Sequence, residues 1–366
     1  MTTGRLPVHG YDHVELWVGN AKQAAHYYRT AFGFRLVAYA GPETGVRDRA
    51  SYVLEQHDIR FVVTSGLHPD DEVVAHHARH GDGIRDVAFR VPDARAVFGA
   101  AVERGAAPLR EPESRSDDHG EVVVAAIGAY GDTVHSLIER NGYDGVHLPG
   151  YAAVGNGNDP LASPVGLRAI DHVVGNVPPG QMETWAGYYE RVLGFSQYHH
   201  FSDEDITTGR TALTSKVLWD DQSRVTLPIN EPARGTARSQ IEEYLDAYGG
   251  PGVQHLALET PDIVSTVRAM RAAGVGFLDV PREYYDGLRE RIGEVDAPWE
   301  DLAAEGILVD RDGEGHLLQI FTEPTQDRPT LFYEIIQREG AQGFGLGNFR
   351  ALFEAIERAQ DRRGNL

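Results

Sequence analysis

Cysteine is absent from this 366-residue sequence, which excludes disulfides, thiolate catalysis and cysteine-ligated zinc or iron–sulfur sites. Basic residues are also scarce, because 34 Lys and Arg stand against 55 Asp and Glu and the formal net charge is −21. Such an acidic surface repels a phosphate backbone, so no nucleic-acid partner is expected. No apolar run approaches the roughly 18–20 residues of a membrane span, and the opening residues lack the apolar segment of a signal peptide. We therefore expect a cytoplasmic protein without membrane contacts.

The residues that are present indicate a folded protein of more than one domain. Hydrophobic residues make up 41% and charged residues 24% of the chain, as in ordinary globular proteins. The length exceeds the roughly 150 residues of one typical domain, so two domains are expected. Glycine is more frequent than usual, at 41 residues, and predicts many tight turns.

An internal repeat predicts the architecture. The segment that begins at Asp12 (DHVELWVGNAKQAAHYYRTAFGF) returns at Asp171 as DHVVGNVPPGQMETWAGYYERVLGF, and both predict a strand, an amphipathic helix and a Gly-Phe turn. A second pair of segments begins at Gly81 and Gly250, where a β-branched run precedes a Pro-Asp helix start. Short strand-like runs follow each helix. One helix with several strands thus occurs four times, which predicts an α+β fold and not a doubly wound parallel sheet.

Composition divides the chain into four parts. Residues 141–168 are rich in Gly, Pro and Asn, and they predict a linker between a first domain (1–140) and a second domain (169–338). The remaining tail (339–366) predicts a helix, for which Asn348 is suited as the N-cap. Its apolar residues recur at i, i+3, i+4 and i+7 on one face, namely Phe349, Leu352, Phe353 and Ile356.

The chain has 16 histidines, and most of them have an ordinary explanation. His76 and His80 stand four residues apart in a helical segment, but the glutamate of the HExxH zinc motif is missing. A solvent-facing helix surface is therefore the expectation for this segment.

The repeat itself indicates a better set of metal ligands, because equivalent positions of the two halves can be compared within one chain. The equivalent pairs are His172 with His13, His255 with Asp86, and Glu334 with Ser136. The second half thus has two imidazoles and one carboxylate on predicted strands, the donor set of the facial triad in non-haem iron(II) oxygenases. Ordinary strand residues with satisfied hydrogen bonds are the alternative, because no local motif defines the triad.

Blocks spread over most of the chain resemble the 4-hydroxyphenylpyruvate dioxygenase family of the vicinal oxygen chelate superfamily. They include AIDHVVGNV (169–177), LPINEPA (227–233), GVQHLAL (252–258), QDRPTLFYEIIQR (326–338) and GFGLGNFRALFEAIE (343–357). The resemblance implies two duplicated domains, each made of paired βαβββ modules that form an open barrel. It also implies Fe(II) ligands at His172, His255 and Glu334, and a first domain that binds no metal.

The resemblance implies a reaction as well. It predicts that 4-hydroxyphenylpyruvate and O₂ are converted to homogentisate and CO₂, a step of tyrosine and phenylalanine catabolism, with the 2-oxo acid of the substrate bound to Fe(II). Members of the family are homodimers or homotetramers, so one of these states is expected.

The family pattern further implies a substrate pocket with amide and aromatic lining. Four side chains are implied in both catalysis and substrate binding: Ser215, Asn230, Gln254 and Gln319. Six more are implied in substrate binding: Gln240, Phe321, Phe332, Phe344, Asn348 and Phe349. Strand alternation supports part of this set, since Gln319 shares a strand face with Phe321, and Phe332 shares one with Glu334. The same alternation predicts that Gln254 points away from His255.

The tail helix is predicted to gate the metal site. The strand that ends at Arg338 brings the chain beside Glu334, and the glycine-rich stretch 343–347 allows hinge motion. A reactive metal site needs water excluded, which a lid provides. A plain packing helix is the alternative.

Two other functions remain open from the sequence. 4-Hydroxymandelate synthase uses the same metal, substrate and fold, and the metal ligands do not separate it from the dioxygenase. A non-catalytic ligand-binding member of the superfamily is the second alternative. The triad is intact only in the second half, and this favours catalysis over ligand binding.

Overall fold

The computed structural model describes residues 4–155, 159–202, 208–222 and 224–365. Within these ranges the chain forms 17 strands and nine α-helices. The strands form two mixed sheets that curl into half-barrels, one from each half of the chain. None of the helices in these ranges combines the length and apolar content that crossing a membrane requires.

The first half builds a nine-stranded sheet from two βαβββ modules. The first module consists of β1 (Tyr11–Trp17), α1 (Ala21–Ala31), β2 (Arg35–Ala40), β3 (Arg49–Gln56) and β4 (Ile59–Gly66). A connecting helix, α2 (Glu72–His80), follows. The second module consists of β5 (Gly83–Arg90), α3 (Ala94–Glu103), β6 (Pro108–Asp117), β7 (Gly120–Gly128) and β8 (Val134–Glu139). The edge strand β9 (Ala152–Ala153) completes the sheet.

The second half repeats this plan in an eight-stranded sheet. Its first module consists of β10 (Ala169–Asn176), α4 (Met182–Val192), β11 (Ser196–Phe201), β12 (Leu213–Trp219) and β13 (Thr226–Pro232), and α5 (Gln240–Tyr248) follows. The next module consists of β14 (Gly252–Glu259), α6 (Ile263–Ala272), β15 (Leu308–Arg311), β16 (His316–Phe321) and β17 (Phe332–Glu339). Two short helices, α7 (Leu288–Ile292) and α8 (Trp299–Glu305), precede β15. The chain ends in α9 (Phe349–Arg363).

The strand pairing is the same in both halves. The first and last strands of each module run parallel, as β1 with β4 and β5 with β8, and later β10 with β13 and β14 with β17. The opening strands of the two modules then pair antiparallel at the centre of each sheet. This arrangement confirms the predicted fold of duplicated, paired βαβββ modules in open barrels.

Local signals that recur in the sequence give matching helix ends. Asp93 and Asp262, which begin the predicted Pro-Asp helices, accept hydrogen bonds from the backbone N–H three residues later and act as N-caps. Gly33 and Gly194 end the first helix of each half with φ near +71° and +73°, a conformation that favours glycine.

The segment predicted as a linker is partly built into the first sheet. Ala152 and Ala153 pair with β2, and the Asp159 carboxylate accepts hydrogen bonds from the Arg29 guanidinium and from the backbone N–H of Leu36. Residues 156–158 lie outside the described ranges. The proposed division into four parts stays a prediction.

The two halves share one hydrophobic core, and polar contacts join them inside it. Tyr333, the neighbour of Glu334 on β17, is fully buried among Phe32 and Phe61 of the first half. Its hydroxyl lies 2.7 Å from the hydroxyl of Tyr28.

The solvent-facing surface predicted for α2 is wrong at two of its histidines. His76 and His80 are buried, with 5% and 4% of each residue exposed, whereas the side chain of His77 is 42% exposed. The buried face packs against the second half, where the His80 and Tyr248 rings lie 4.3 Å apart. A helical pattern alone does not reveal such a neighbour.

Candidate metal centre and cavity

Three neighbouring strands bring His172, His255 and Glu334 together. His172 on β10 pairs with Ala257 of β14, and Ala257 pairs in turn with Glu334 of β17, so these positions form a row across the sheet. The Nε2 atoms of His172 and His255 lie 3.2 Å and 3.6 Å from Glu334 Oε2. All three side chains are buried, and one donor atom from each lies within 4.8 Å of the others.

A β-bulge stands immediately before each histidine. In the pairing of β10 with β14, Asp171 and Gln254 are extra residues without a pairing partner. The Nδ1 of His172 lies 2.7 Å from Asp171 Oδ1, and the Nδ1 of His255 lies 3.1 Å from Gln254 Oε1. Because these oxygens accept the Nδ1–H proton, the Nε2 atom of each ring points toward Glu334.

Arg338 connects Asp171, the hydrogen-bond partner of His172, to the tail of the chain. Its guanidinium donates two hydrogen bonds to the Asp171 carboxylate, at 2.6 Å and 2.9 Å. It also donates to the carbonyl of Gly343 at 2.7 Å and lies over the Phe344 ring. Arg338 thus holds both the hydrogen-bond partner of His172 and the segment that leads to α9.

The charges in this cluster are strongly coupled. Burial alone would lower the pKa of His172, but the carboxylates of Glu334 and Asp171 raise that pKa to about 9. Burial lowers the pKa of His255. For Glu334, burial would raise the pKa, but the two imidazoles outweigh it and the net pKa is lowered. An ionised carboxylate therefore lies beside two ring nitrogens.

This donor set fits a divalent transition-metal ion. Two imidazole nitrogens and one carboxylate oxygen on one side of a metal are the protein ligands of the facial triad. Each histidine also has the Nδ1 hydrogen bond that fixes the orientation of a metal-bound imidazole. His172, His255 and Glu334 are the residues that would hold such an ion.

A cavity of about 670 Å³, including its mouth, opens beside the three ligand candidates. Eight of the ten side chains predicted to line a substrate pocket do line this cavity: Ser215, Asn230, Gln240, Gln254, Phe321, Phe332, Phe344 and Phe349. The Phe332 ring stacks on His255 with centroids 4.8 Å apart, and Phe344 lies edge-on to His172 at 5.2 Å. Its wall is mainly apolar, with a few hydroxyl and amide groups.

The structure places Gln319 and Asn348 outside this lining. Gln319 is buried on β16 next to Gly345, where a side chain in place of the glycine hydrogen would collide with its amide nitrogen. Asn348 precedes α9 but does not cap it, since its backbone is already helical and its side-chain oxygen accepts a hydrogen bond from the Tyr284 hydroxyl at 2.6 Å. The helix therefore begins after Asn348 as predicted, but the side chain of Asn348 makes no capping hydrogen bond.

The prediction that Gln254 points away from His255 is also wrong. Both side chains line the cavity because the bulge at Gln254 interrupts the alternation of β14. The register of a bulge depends on the neighbouring strand, so the sequence of β14 alone does not show it.

Several apolar residues of the lining are not among the predicted site residues. They include Phe201, Leu213, Val217, Leu352, Phe353 and Ile356. Period-2 alternation around Ser215 would have found Leu213 and Val217, which share its strand face. The apolar face predicted for the tail helix covers the cavity with Leu352, Phe353 and Ile356.

The equivalent positions of the first half form no comparable metal cluster among the described residues. Bulges occur at Asp12 and Arg85, and Asp12 pairs with His13 and Arg140 just as Asp171 pairs with His172 and Arg338. The Asp86 carboxylate, however, accepts hydrogen bonds from the Ser136 hydroxyl and backbone N–H. The bulges and the aspartate–arginine pair are thus repeated in the first half, but Ser136 stands where the second half has the carboxylate of Glu334.

Comparison with known proteins agrees with this fold. Residues 169–324 match the Glyoxalase/Bleomycin resistance protein/Dioxygenase superfamily, and residues 4–147 match the family described as hydroxyphenylpyruvate dioxygenase, N-terminal. The fold and these two matches therefore place both halves of the chain in this superfamily.

Individual relatives narrow the class. The 4-hydroxyphenylpyruvate dioxygenase of Yarrowia lipolytica is 47% identical over 98% of this chain and 93% of its own length. That of Dictyostelium discoideum is 46% identical over 98% of this chain and 100% of its own length. A solved mutant of 4-hydroxymandelate synthase from Streptomyces coelicolor superposes with a TM-score of 0.87, at 35% identity over 97% of this chain and 100% of that one. The chain belongs to the 4-hydroxyphenylpyruvate dioxygenase family.

Proposed function

We propose that this chain converts 4-hydroxyphenylpyruvate and O₂ to homogentisate and CO₂, with Fe(II) held by His172, His255 and Glu334. The observation that carries the proposal is the convergence of these three donors at one wall of a largely apolar cavity. The relatives named 4-hydroxyphenylpyruvate dioxygenase support the substrate. Fe(II) is proposed over other divalent ions because this donor set leaves adjacent positions free for a substrate and O₂.

When bound, Fe(II) would supply the redox chemistry with O₂ and a positive charge for the 2-oxo acid of the substrate. The side chains would supply orientation. Asp171 and Gln254 hold the imidazoles of His172 and His255 with Nε2 toward Glu334. The positive charge matters because the chain carries a formal charge of −21, which repels a free anion.

The aromatic residues would exclude water and hold the substrate ring. Phe332 and Phe344 contact the imidazoles of His255 and His172, and Phe349 continues the wall at the start of α9. A dry cavity strengthens the electrostatic contacts inside it and limits side reactions of O₂. We propose that α9 acts as the gate that completes this wall.

Ser215 and Asn230 would position the polar end of the ring. They lie directly opposite each other on β12 and β13, and Asn230 pairs with Asn176, four residues along β10 from His172. Asn230 Nδ2 lies 3.5 Å from Asn176 Oδ1, which orients the amide. These hydrogen-bonding groups therefore lie at a distance from the ligand candidates. A phenol hydroxyl of the substrate would be placed beside Ser215 and Asn230.

The first half would serve as an iron-free duplicate that supports the second half. Its carboxylate Asp86 is occupied by Ser136, and its residues build the shared core. The predicted cytoplasmic location, the predicted homodimer or homotetramer and the division into a first domain, linker, catalytic domain and gating helix accompany this proposal.

A second candidate function is hydroxylation of the benzylic carbon of the same substrate. The superposition on the 4-hydroxymandelate synthase of Streptomyces coelicolor favours it, because that structure covers nearly the whole chain. The two activities differ in the product, not in the donor set.

Product identification tests both functions. The purified chain, loaded with Fe(II) under ascorbate, is incubated with 4-hydroxyphenylpyruvate and O₂, and the products are separated against standards. Homogentisate with stoichiometric CO₂ is expected. A dominant 4-hydroxymandelate peak would assign the second function, and a folded, iron-loaded protein that binds substrate without O₂ uptake would indicate a ligand-binding protein.

A further inference from the structure

A second cluster of side chains that could hold a metal ion lies in the first half of the chain. His76 and His80 stand one turn apart on α2, and Asp132 reaches them from the turn between β7 and β8. One donor atom from each residue lies within 4.8 Å of the others. His76 Nδ1 is 2.7 Å and His80 Nε2 is 3.3 Å from the same oxygen, Asp132 Oδ2.

The surroundings of His80 match those of a metal-bound imidazole. Its Nδ1 lies 2.5 Å from the backbone carbonyl of Tyr248, and the carbonyl accepts the Nδ1–H proton. The Nε2 atom therefore faces Asp132, and the Tyr248 ring packs against the imidazole. A backbone carbonyl at the far ring nitrogen is one of the common partners of a ligating histidine.

Two polar atoms of the cluster lack hydrogen bonds to other described residues. Asp132 Oδ1 and His76 Nε2 are both buried and unpartnered. A buried carboxylate oxygen without a partner is costly, and a bound cation removes that cost. The histidine side chains are 2% and 5% exposed, whereas the Asp132 side chain is 35% exposed, so an ion could enter from the side of the carboxylate.

We propose that His76, His80 and Asp132 form a second divalent-metal site of the zinc class, separate from the His172 centre. Two imidazoles and one carboxylate, with water in a fourth position, make a common tetrahedral ligand set. The ion would join α2 to the β7–β8 turn and, through the Tyr248 carbonyl, to α5 of the second half. Its role would be structural, to hold the two halves together.

Zinc titration of the metal-stripped chain tests this site. The first centre is removed by the double substitution His172→Ala and Glu334→Ala, and Zn²⁺ binding is measured by calorimetry against a competing chelator. One Zn²⁺ per chain is expected in this background, and two in the unmodified chain. Absence of binding in a folded background protein would overturn the proposal.

Substitutions in the same background locate the ion. Asp132→Asn and His80→Asn should each weaken Zn²⁺ binding by more than about 100-fold, because losing a ligand exceeds the 10–100-fold cost of losing an outer partner. His77→Asn is the matched control, since His77 lies on the same helix but faces solvent and pairs with Asp82. Equal affinity in the control and the two ligand variants would contradict the site.

A stability measurement covers the case in which His80→Asn does not fold. Asp132→Asn keeps the size of a partly exposed turn residue, so it is expected to fold. Added Zn²⁺ should raise the melting temperature of the His172→Ala, Glu334→Ala protein, and Asp132→Asn should abolish that rise. A rise that persists in Asp132→Asn would place the ion elsewhere. None of these readouts depends on product formation.

Discussion

Gln254 and His255 are consecutive residues of strand β14, yet both side chains face the same cavity. His255 pairs with Val174 and Val253 pairs with Gly175, which leaves Gln254 as the extra residue of a β-bulge. The bulge brings Gln254 Oε1 to 3.1 Å from His255 Nδ1. A side chain that lines the cavity thus also orients a ligand candidate.

Gln254→Ala should weaken metal binding by about 10-fold, because the His255 ring loses the acceptor that fixes its orientation. Iron affinity is measured by anaerobic titration of the stripped protein. Gln240→Ala is the control, since it removes an amide of the same size from the same cavity. An equal loss in both variants would mean that the amide acts on the cavity in general and not on His255.

His172→Ala, His255→Ala and Glu334→Ala should each lower turnover of 4-hydroxyphenylpyruvate by at least about 100-fold, because the loss of a ligand exceeds the cost of losing its outer partner. Bound iron per chain and O₂ uptake are measured together. Each variant should lose iron and activity in parallel.

The first half offers a matched control for these ligand variants. His13→Ala removes the equivalent imidazole, which has the same bulge and the same aspartate–arginine pair behind it. It should keep iron and turnover, provided that circular dichroism shows an intact fold. Iron loss in a folded His13→Ala protein would contradict the assignment of the metal to the second half.

Truncation after Gly343 should leave a folded, iron-binding protein that forms at least about 10-fold less homogentisate and consumes O₂ without product. The reason is that α9 supplies cavity wall at Phe349, Leu352, Phe353 and Ile356. Iron content, O₂ uptake and product yield are compared with those of the full chain.

Two results would reject the gate in its simple form. Normal turnover by the truncated protein would show that the helix does not close the cavity. Unfolding would show that its packing is structural, as its ion pair between Arg363 and Glu243 also allows. In that case Phe349→Ala tests the wall alone, because the helix stays in place.

Histidine burial predicts a loss of stability in mild acid. Burial lowers the pKa of His135 to about 4, while its ring nitrogens contact the Val87 carbonyl and the Tyr189 hydroxyl. The unfolded chain takes up the proton near pH 6.5. As the pH falls from about 6.5 to 4, the unfolded state binds more protons, so the free energy of unfolding should fall by up to about 3 kcal/mol from this group.

Urea unfolding of the wild type and His135→Gln across this pH range measures the contribution. The stability difference between the two proteins should shrink as the pH falls, because only the wild type loses this term. Tyr189→Phe keeps the imidazole and should therefore keep the pH dependence. A difference in the free energy of unfolding that stays constant with pH would contradict the lowered pKa of His135.

Much of the fold follows from the sequence because the repeat carries it. The same strand, helix and turn signals occur at Asp12 and Asp171, and local propensity and patterning agree with the structure in both. The comparison of equivalent positions in the two halves, such as Glu334 with Ser136, also predicts three ligand candidates. The structure gathers these three residues in one cluster. Their function as ligands stays a prediction until the iron is measured.

Other features depend on contacts that no local pattern contains. Asp132 is 52 residues beyond His80 in the sequence, and Tyr248 belongs to the other half of the chain, so the cluster on α2 could not be read from its helical spacing. The side chain of Asn348 also depends on a distant residue, because its oxygen accepts a hydrogen bond from Tyr284 instead of from the first backbone N–H groups of α9.

The sequence by itself determined the duplicated α+β plan, the helix starts at Asp93 and Asp262, and the residue types available for metal binding. These follow from periodicity and capping, which act within a few residues of each other. Only the tertiary structure decided that Gln254 faces the cavity with His255, that Gln319 does not line it, and that α2 buries two histidines. Strand register, bulges and the packing of distant segments settle these points, because they minimise the free energy of the whole chain and not of any one segment.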